Sequence, residues 1–171
     1  MNSIETVCVV GAGFMGWQIG LLCSSHGFPV MLHDISQGAL DRAVQNIEVE
    51  LGRWMEANEI AEEEKRSILK RINTTTDMRK AASRMDLVIE AVPERPEAKR
   101  EVFRRLDEIC ASRTILATNS SSIRVSRIED ATNRPDRVLN MHFYSGPWRR
   151  SIVELMRGSE TSDETMRRAV S

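Results

Sequence analysis

The stretch Val7–Gly20 reads VCVVGAGFMGWQIG and decides the fold. Its first four residues are an apolar run typical of a buried β-strand, and helical spacing of apolar residues begins at Phe14. Between strand and helix the glycines at positions 11, 13 and 16 form the pattern G-x-G-x-x-G, in the context that this motif requires. The stretch therefore predicts a turn that binds a dinucleotide.

Each glycine of this turn has a physical reason. Gly11 permits a tight turn, Gly13 lets the backbone approach a pyrophosphate, and Gly16 lets the helix pack closely on the strand. The helix N-terminus offers free N–H groups and a positive dipole to phosphates, and Phe14 and Met15 open that helix. We expect all five residues to bind the cofactor. The alternative is a glycine-rich turn without a ligand.

The second predicted strand, FPVMLHD, ends at Asp34. This residue lies roughly 20 positions past the glycines, where an acidic side chain accepts hydrogen bonds from the adenosine ribose hydroxyls. A carboxylate there repels a 2′-phosphate, so the pattern favours NAD over NADP. The alternative is an aspartate that belongs to a turn or caps a helix.

Outward from this stretch, short β-rich runs alternate with helical patterns. The predicted helices cover residues 14–26, 36–57 (with Ser36 as N-cap), 60–72, 93–110 and 161–171, and the predicted strands cover 6–10, 28–34, 72–77, 85–92, 113–119, 136–143 and 151–156. This alternation predicts an α/β fold of the Rossmann type: a doubly wound, mostly parallel sheet, with a helical hairpin inserted after the second strand.

Length and composition exclude several classes of protein. The 171 residues suit one domain, residues 1–171, and the net charge of -1 draws the chain neither to nucleic acid nor to a membrane. The three cysteines show no disulfide or metal-site spacing, so we expect no metal ion. Without a signal peptide or a membrane-spanning run, the sequence predicts a soluble cytoplasmic protein. The final pattern, TSDETMRRAVS, opens a helix that should lead into another strand, so we expect the N-terminal part of a longer protein.

Polar residues stand where two central strands end. Glu90 follows the buried run DLVI, and Glu94 is predicted to begin the next helix, either as its N-cap or as a wall of the ligand crevice. The cluster Thr118–Ser122 closes the strand RTILATN. These residues either cap the next helix or place a hydroxyl and an amide beside nicotinamide and substrate.

His142 and Glu154 lie on the last two predicted strands. If these strands are neighbours joined by the turn at Ser145–Arg150, the two side chains meet. A carboxylate on one imidazole nitrogen fixes the tautomer and raises the basicity, which leaves the other nitrogen to take a proton. The alternative is a histidine that only ends a strand.

Together these motifs resemble the NAD-binding domain of the 3-hydroxyacyl-CoA dehydrogenase family along nearly the whole chain. The resemblance is carried by GAGFMG, the HD that ends the second strand, DLVIEAVPE, ATNSSSI, RVLNMHF and VELMRG. It implies an enzyme that oxidises the hydroxyl of an L-3-hydroxyacyl-CoA by hydride transfer to NAD, in fatty acid metabolism, and a homodimer for the full-length protein.

The resemblance also implies roles for single residues. His142 would remove the hydroxyl proton, and Glu154 would orient the His142 ring. Ser121 would meet the substrate oxygen. Glu90 and Glu94 would line the nicotinamide side with Lys99 nearby, and Asn119 would meet the nicotinamide. The hairpin at 36–71 would touch the CoA moiety, for which the candidate cations are Arg53, Lys65 and Arg66.

Two features depart from the family pattern. After the histidine the family continues H-F-F-N-P, but this chain reads HFYSGPWRRS, with Ser145 in place of an asparagine and with Trp148, Arg149 and Arg150 following. This segment borders the substrate, so a non-CoA hydroxy acid of the gulonate or carnitine type is an alternative substrate. We also expect the family's helical C-terminal domain to be missing from this chain. A non-catalytic NAD-binding module is the second alternative to the acyl-CoA dehydrogenase.

Overall fold

The computed structural model describes residues 3–144 and 152–170. In these ranges one sheet contains the strands β1 (Val7–Val10), β2 (Val30–His33), β3 (Ile72–Thr75), β4 (Leu87–Glu90), β5 (Ile115–Thr118), β6 (Val138–Phe143) and β7 (Val153–Arg157). Their order is β3-β2-β1-β4-β5-β6-β7, with β1 to β6 parallel and β7 antiparallel to β6. The predicted Rossmann-type fold is confirmed.

The helices are α1 (Phe14–Ser25), α2 (Gln37–Glu56), α3 (Glu62–Arg71), α4 (Met78–Ala82), α5 (Pro96–Ile109) and α6 (Asp163–Val170). The α2–α3 pair lies between β2 and β3, which confirms the hairpin insertion. Ser36 caps α2 as predicted, because its hydroxyl accepts a hydrogen bond from the amide of Ala39 at 3.3 Å. The short helix α4 and three 3₁₀ turns, at Val125–Arg127, Glu129–Ala131 and Pro135–Arg137, were not predicted.

The predicted start of α5 at Pro93 was wrong. A proline disfavours helical backbone at the residue before it, and Arg95, which precedes Pro96, is extended with φ -133° and ψ 124°. The helix therefore begins at Pro96, with Arg95 as its N-cap. Glu94 lies in the preceding loop and does not cap the helix.

Helices cover both faces of the sheet. One face packs on α1, the start of α2 and α6 through Ile19, Leu40 and Met166. The other packs on α4 and α5 through Ala81 and Phe103. The strands are buried on both faces, which explains why they read as continuous apolar runs. A smaller cluster joins the hairpin to α1 through Leu21, Ile47, Leu51, Trp54, Ile60 and Ile68.

The carboxyl ends of the central strands lie at one level. Val10 pairs with His33 on one side and with Glu90 on the other, and Glu90 pairs with Thr118. Strand order reverses between β1 and β4, and a sheet of this type binds ligands in the crevice outside its carboxyl ends at such a reversal. The fold thus gathers the polar residues named above along one edge.

Two further features of the described residues concern the cysteines and the membrane. Cys8, Cys23 and Cys110 are free thiols, and burial raises the pKa of Cys23 to about 12 and that of Cys110 to about 11. They therefore behave as small apolar residues. No helix in the described ranges is long and apolar enough to cross a bilayer.

Candidate cofactor and catalytic site

The turn after β1 contains three glycines in two different situations. A Cβ added to Gly11, whose φ is +104°, would lie 2.6 Å from the carbonyl oxygen of Ala91. A Cβ on Gly16 would lie 1.7 Å from the carbonyl oxygen of Gly11. At Gly13 no heavy atom lies within 4 Å of the added Cβ. The protein's own packing therefore requires Gly11 and Gly16, whereas the side of Gly13 faces open space that a ligand can enter.

The N-terminus of α1 suits an anion. Its N-cap, Gly13, makes no side-chain cap and the first turn holds no acidic residue. The first backbone bond of the helix runs from Trp17 N to the Gly13 carbonyl at 3.3 Å. The amides of Phe14, Met15 and Gly16 thus remain available, with the positive end of the dipole, for a phosphate. These residues fit the pyrophosphate of a dinucleotide.

Asp34 lies directly after β2 and is tied to the glycine-rich turn. One carboxylate oxygen accepts a hydrogen bond from the amide of Ala12 at 2.8 Å, and the other accepts one from the amide of Ser36 at 2.9 Å. Each oxygen keeps a second lone pair for a further donor. The residue lines the cavity at this edge, and its hydrogen bond to Ala12 ties it to the glycine-rich turn.

A cavity of about 840 Å³ lies at the carboxyl edge of the sheet. Its walls include nine of the thirteen predicted site residues: Gly11, Gly13, Phe14, Met15, Asp34, Glu94, Lys99, Asn119 and Ser121. Gly16, Glu90, His142 and Glu154 stand outside these walls. A second cavity, of about 380 Å³, also has Ser121 in its wall, so this serine borders both.

Glu90 lies beneath the crevice and has no exposed surface. Its carboxylate accepts hydrogen bonds from the amide of Val92 (2.8 Å), the ammonium of Lys99 (2.8 Å) and the hydroxyl of Thr118 (2.7 Å). Burial raises the pKa of Glu90, and these three donors oppose the rise. Because it has no exposed surface and is not among the residues that line the cavity, Glu90 serves as an anchor under the site instead of facing the cavity.

Glu94 lines the cavity with a side chain that is 42% exposed. Burial would raise its pKa, but hydrogen bonds from Ser120 and Ser122, with Lys99 3.2 Å away, outweigh that effect and lower the pKa to about 2. The carboxylate is therefore ionised at any pH near neutrality. Lys99, which is 1% exposed, bridges it to Glu90.

Asn119 connects the end of β5 to β6. Its side-chain oxygen accepts a hydrogen bond from the backbone amide of Phe143 at 2.8 Å, and its backbone amide donates to the Glu90 carbonyl at 2.8 Å. Next to it, the Ser120 carbonyl accepts a bond from the Asn140 side chain at 2.7 Å. The predicted polar cluster is thus held between neighbouring strands, and Ser120 also caps the following turn through the Ile123 amide at 2.7 Å.

His142 lies between a carboxylate and a hydroxyl. Its Nδ1 is 3.1 Å from Glu154 Oε2, and its Nε2 is 3.1 Å from Ser121 Oγ. The antiparallel register pairs His142 with Glu154, so the predicted meeting of the two side chains is observed. Hydrogen bonding to His142, and then to Tyr144, lowers the pKa of Glu154. A carboxylate on Nδ1 leaves Nε2 as the proton acceptor, directed at Ser121.

Two side chains near the site were missed in the sequence. The hydroxyl of Tyr144 donates to Glu154, and its ring lies 4.9 Å from that of His142. His33 is buried in the cavity wall beside Asp34, and burial lowers its pKa. Their positions in the sequence could have indicated both, since His33 directly precedes Asp34 and Tyr144 follows His142 by two positions. The Ser145–Arg150 turn, with Trp148 and both arginines, lies outside the described residues.

Residues 6–171 match the family model described as 3-hydroxyacyl-CoA dehydrogenase, NAD binding domain. A probable 3-hydroxybutyryl-CoA dehydrogenase of Bacillus subtilis is 38% identical over 162 residues, and the 3-hydroxyadipyl-CoA dehydrogenase of Escherichia coli is 37% identical over 166 residues. The alignments cover 95% and 97% of this chain but 56% and 35% of those proteins.

The fold gives the same result. The crystal structure of FadB2 from M. tuberculosis superposes with a TM-score of 0.94 at 32% identity, covering 98% of this chain and 59% of that one. The family model covers nearly the whole chain. The chain therefore belongs to the NAD-binding domain of the 3-hydroxyacyl-CoA dehydrogenase family, and its cofactor is NAD.

Proposed function

We propose that this chain is the cofactor-binding part of an enzyme that oxidises the 3-hydroxyl of an L-3-hydroxyacyl-CoA to the 3-oxoacyl-CoA. The observation that carries the proposal is His142, placed between Glu154 and Ser121, of which Ser121 lies in the wall of the cofactor cavity. Relatives named as 3-hydroxybutyryl-CoA and 3-hydroxyadipyl-CoA dehydrogenases support the substrate class.

In the proposed reaction His142 is the general base. Its Nε2 takes the proton of the substrate hydroxyl, the oxygen of which is also met by the Ser121 hydroxyl. Glu154 holds the ring through Nδ1 and stabilises the imidazolium that forms. When bound, NAD supplies the acceptor for the hydride that leaves C3. A positioned base of this kind contributes about 10²–10⁴-fold to the rate.

The residues for NAD follow from the site. We propose that Phe14, Met15 and Gly16 hold the pyrophosphate through the free amides of α1, while Gly11 shapes the turn and Gly13 leaves room for the ligand. We also propose that Asp34 holds the adenosine ribose. Asn119 and Glu94 line the nicotinamide side, with Lys99 behind Glu94. Glu90 acts from below by holding Lys99.

The experiment has two stages. Calorimetry on the 171-residue chain measures NAD and NADP affinity, and NADH formation is then followed with the full-length gene product. We expect turnover with L-3-hydroxybutyryl-CoA and a loss of about 10²–10⁴-fold in His142→Ala. Turnover of a free hydroxy acid of the gulonate or carnitine type, but not of the CoA ester, overturns the substrate. NAD binding without turnover of any of these substrates favours the non-catalytic alternative.

We also propose that the full-length protein is a cytoplasmic homodimer. The dimer follows from the family resemblance, and the compartment follows from three free cysteines without disulfide spacing. Light scattering coupled to size-exclusion chromatography measures the mass of the protein directly. A monomer at micromolar concentration would contradict the proposed homodimer.

A further inference from the structure

Ser121 lies in a segment whose other members are each tied to the scaffold. The Thr118 hydroxyl donates to Glu90 (2.7 Å), and the Asn119 side chain accepts from Phe143 (2.8 Å). The Ser120 carbonyl accepts from Asn140 at 2.7 Å. Ser121 itself is exposed, and its hydroxyl contacts Nε2 of His142 instead of a neighbouring strand. An exposed serine has several rotamers open to it, so packing does not hold its hydroxyl on the ring.

One carboxylate oxygen grips the residues on both sides of Ser121. Glu94 Oε1 accepts a hydrogen bond from the hydroxyl of Ser120. The same oxygen accepts bonds from the amide of Ser122 at 3.2 Å and from its hydroxyl at 2.9 Å. Three donors from positions 120 and 122 therefore converge on one atom, and the backbone of position 121 is bent around it.

Glu94 is in turn held by a buried chain of charges. Its other oxygen, Oε2, is 3.2 Å from the Lys99 ammonium, and that ammonium is 2.8 Å from Glu90. Lys99 lies on α5 and is 1% exposed, so it fixes the carboxylate relative to both the helix and β4. Because Glu94 stays ionised, its hydrogen bonds to the two serines are charge-assisted and therefore strong.

We infer that Glu94 is a positioning residue, which holds Ser120 and Ser122 so that the hydroxyl between them stays on Nε2 of His142. This inference rests on the proposed function only for its effect on turnover; the effect on the His142 ring needs no substrate. A displacement of a reacting group by about 1 Å can cost about 10²-fold in rate. Glu94 thus acts on the proton transfer through Ser121, in addition to lining the nicotinamide side.

The test uses four variants of this chain: Glu94→Ala, Glu94→Gln, Ser121→Ala and, as a control, Glu108→Ala. Glu108 is an exposed glutamate near the end of α5. Nitrogen-15 spectra of the histidine rings report the environment of Nε2 directly. We expect Glu94→Ala to move the His142 Nε2 signal as Ser121→Ala does, Glu94→Gln to move it less because its amide oxygen still accepts, and Glu108→Ala to leave it in place.

Turnover of the full-length gene product gives a second readout. We expect Glu94→Ala to lower kcat about tenfold to a hundredfold when it is measured at saturating NAD, where a change in cofactor affinity does not enter. Added to Ser121→Ala, it should lower kcat little further, since a residue that acts through another shows non-additive effects.

Each contrary result is decisive. An unchanged Nε2 signal in Glu94→Ala, with the signal of Ser121→Ala shifted, overturns the positioning role. A double variant whose loss of kcat equals the product of the two single losses overturns it as well. If the Nε2 signal moves as expected but no substrate is turned over by wild type, the positioning role stands and the proposed function fails. Glu94→Ala keeps the Glu90–Lys99 pair, and its thermal midpoint checks that the fold survives.

Discussion

A side chain on Gly16 would place its Cβ 1.7 Å from the carbonyl oxygen of Gly11, so the last glycine of the motif is required by the first. The neighbour is backbone and cannot turn aside. We predict that Gly16→Ala lowers the free energy of unfolding by about 2 kcal/mol or more and abolishes NAD binding, because the turn must open. Urea unfolding and calorimetry with NAD measure both.

The matched control is Gly52→Ala in α2. No heavy atom lies within 4 Å of a Cβ added at Gly52. There the substitution should stabilise the chain by about 0.5–1 kcal/mol, because alanine loses less conformational freedom in a helix. If Gly16→Ala bound NAD as wild type does and unfolded at the same urea concentration, the packing argument would be wrong.

Asp34 should decide between the two cofactors. We predict that Asp34→Ala weakens NAD binding by about tenfold to a hundredfold and reduces the preference for NAD over NADP. In the proposed site the carboxylate accepts hydrogen bonds from the ribose hydroxyls of NAD and repels the 2′-phosphate of NADP. Asp34→Asn keeps an acceptor without the charge, so it should relax the NADP discrimination while losing less NAD affinity. Dissociation constants for both dinucleotides measure this.

The Asp34 side chain also bonds the amides of Ala12 and Ser36, so a loss of affinity could reflect a loosened turn. The thermal midpoint of each variant with and without NAD separates the two causes. Equal affinity of Asp34→Ala and wild type for NAD, with an intact fold, would refute the ribose contact.

Glu154 should matter for turnover far more than for binding. Glu154→Gln keeps the shape but presents an amide to His142 Nδ1, which can donate and so favour the wrong tautomer of the ring. We predict a fall in kcat of about 10²-fold or more with unchanged NAD affinity. Glu160→Gln, at an exposed glutamate in the turn after β7, is the control and should leave kcat unchanged.

Acid should not neutralise Glu154 in the working range. Its hydrogen bond to His142 lowers its pKa below the ordinary 4.5, so the carboxylate remains charged as the pH falls through that value. An acid limb of the wild-type kcat profile that lay near pH 4.5 and disappeared in Glu154→Gln would contradict this prediction. A variant with wild-type kcat at every pH would exclude the orienting role.

Asp107 should make stability depend on pH. Burial raises its pKa, but the amide of Asn133 (2.9 Å) and the guanidinium of Arg134 (2.6 Å) outweigh that effect, so the pKa lies below 3.8. A group with a depressed pKa stabilises the fold fully above its unfolded pKa and loses that contribution as the pH falls through its folded pKa. We predict that Asp107→Asn costs about 2 kcal/mol at pH 7 and that the difference from wild type disappears at lower pH.

Denaturant unfolding at a series of pH values from neutral to acid measures this difference. Asp41→Asn, at an exposed position of α2, should change stability by no more than about 0.5 kcal/mol at any of them. A difference for Asp107→Asn that grew toward acid pH would have the wrong sign and would contradict the assignment.

The sequence predicted the strands and the cofactor turn because both depend on local rules. Apolar runs between turns mark a doubly wound sheet, and the spacing of Gly11, Gly13 and Gly16 is readable without coordinates. The meeting of His142 and Glu154 was also predicted, on the condition that the last two strands are neighbours, and the antiparallel pairing of β6 and β7 meets that condition.

Contacts that depend on a third element were not predictable. Glu90 looked like a crevice residue because Lys99, which buries it, comes from the next helix. The hydrogen bonds from Ser120 and Ser122 to Glu94 could be predicted only with Glu94 placed in the loop before α5. The second proline, Pro96, could have indicated that the helix begins there. The 3₁₀ turns carry no periodic pattern long enough to read.

The reversal of β7 has a consequence for how this protein could be altered. His142 stands one residue before the end of β6 and Glu154 one residue after the start of β7, and their pairing is set by the ladder, which runs to Leu139 and Arg157. The chain that joins the two strands can therefore be exchanged for another of different length or composition while the proton-handling pair stays in register. The connecting segment and the register of the pair are therefore separately adjustable, and grafting connecting segments of other lengths is a direct way to alter the protein without moving the pair.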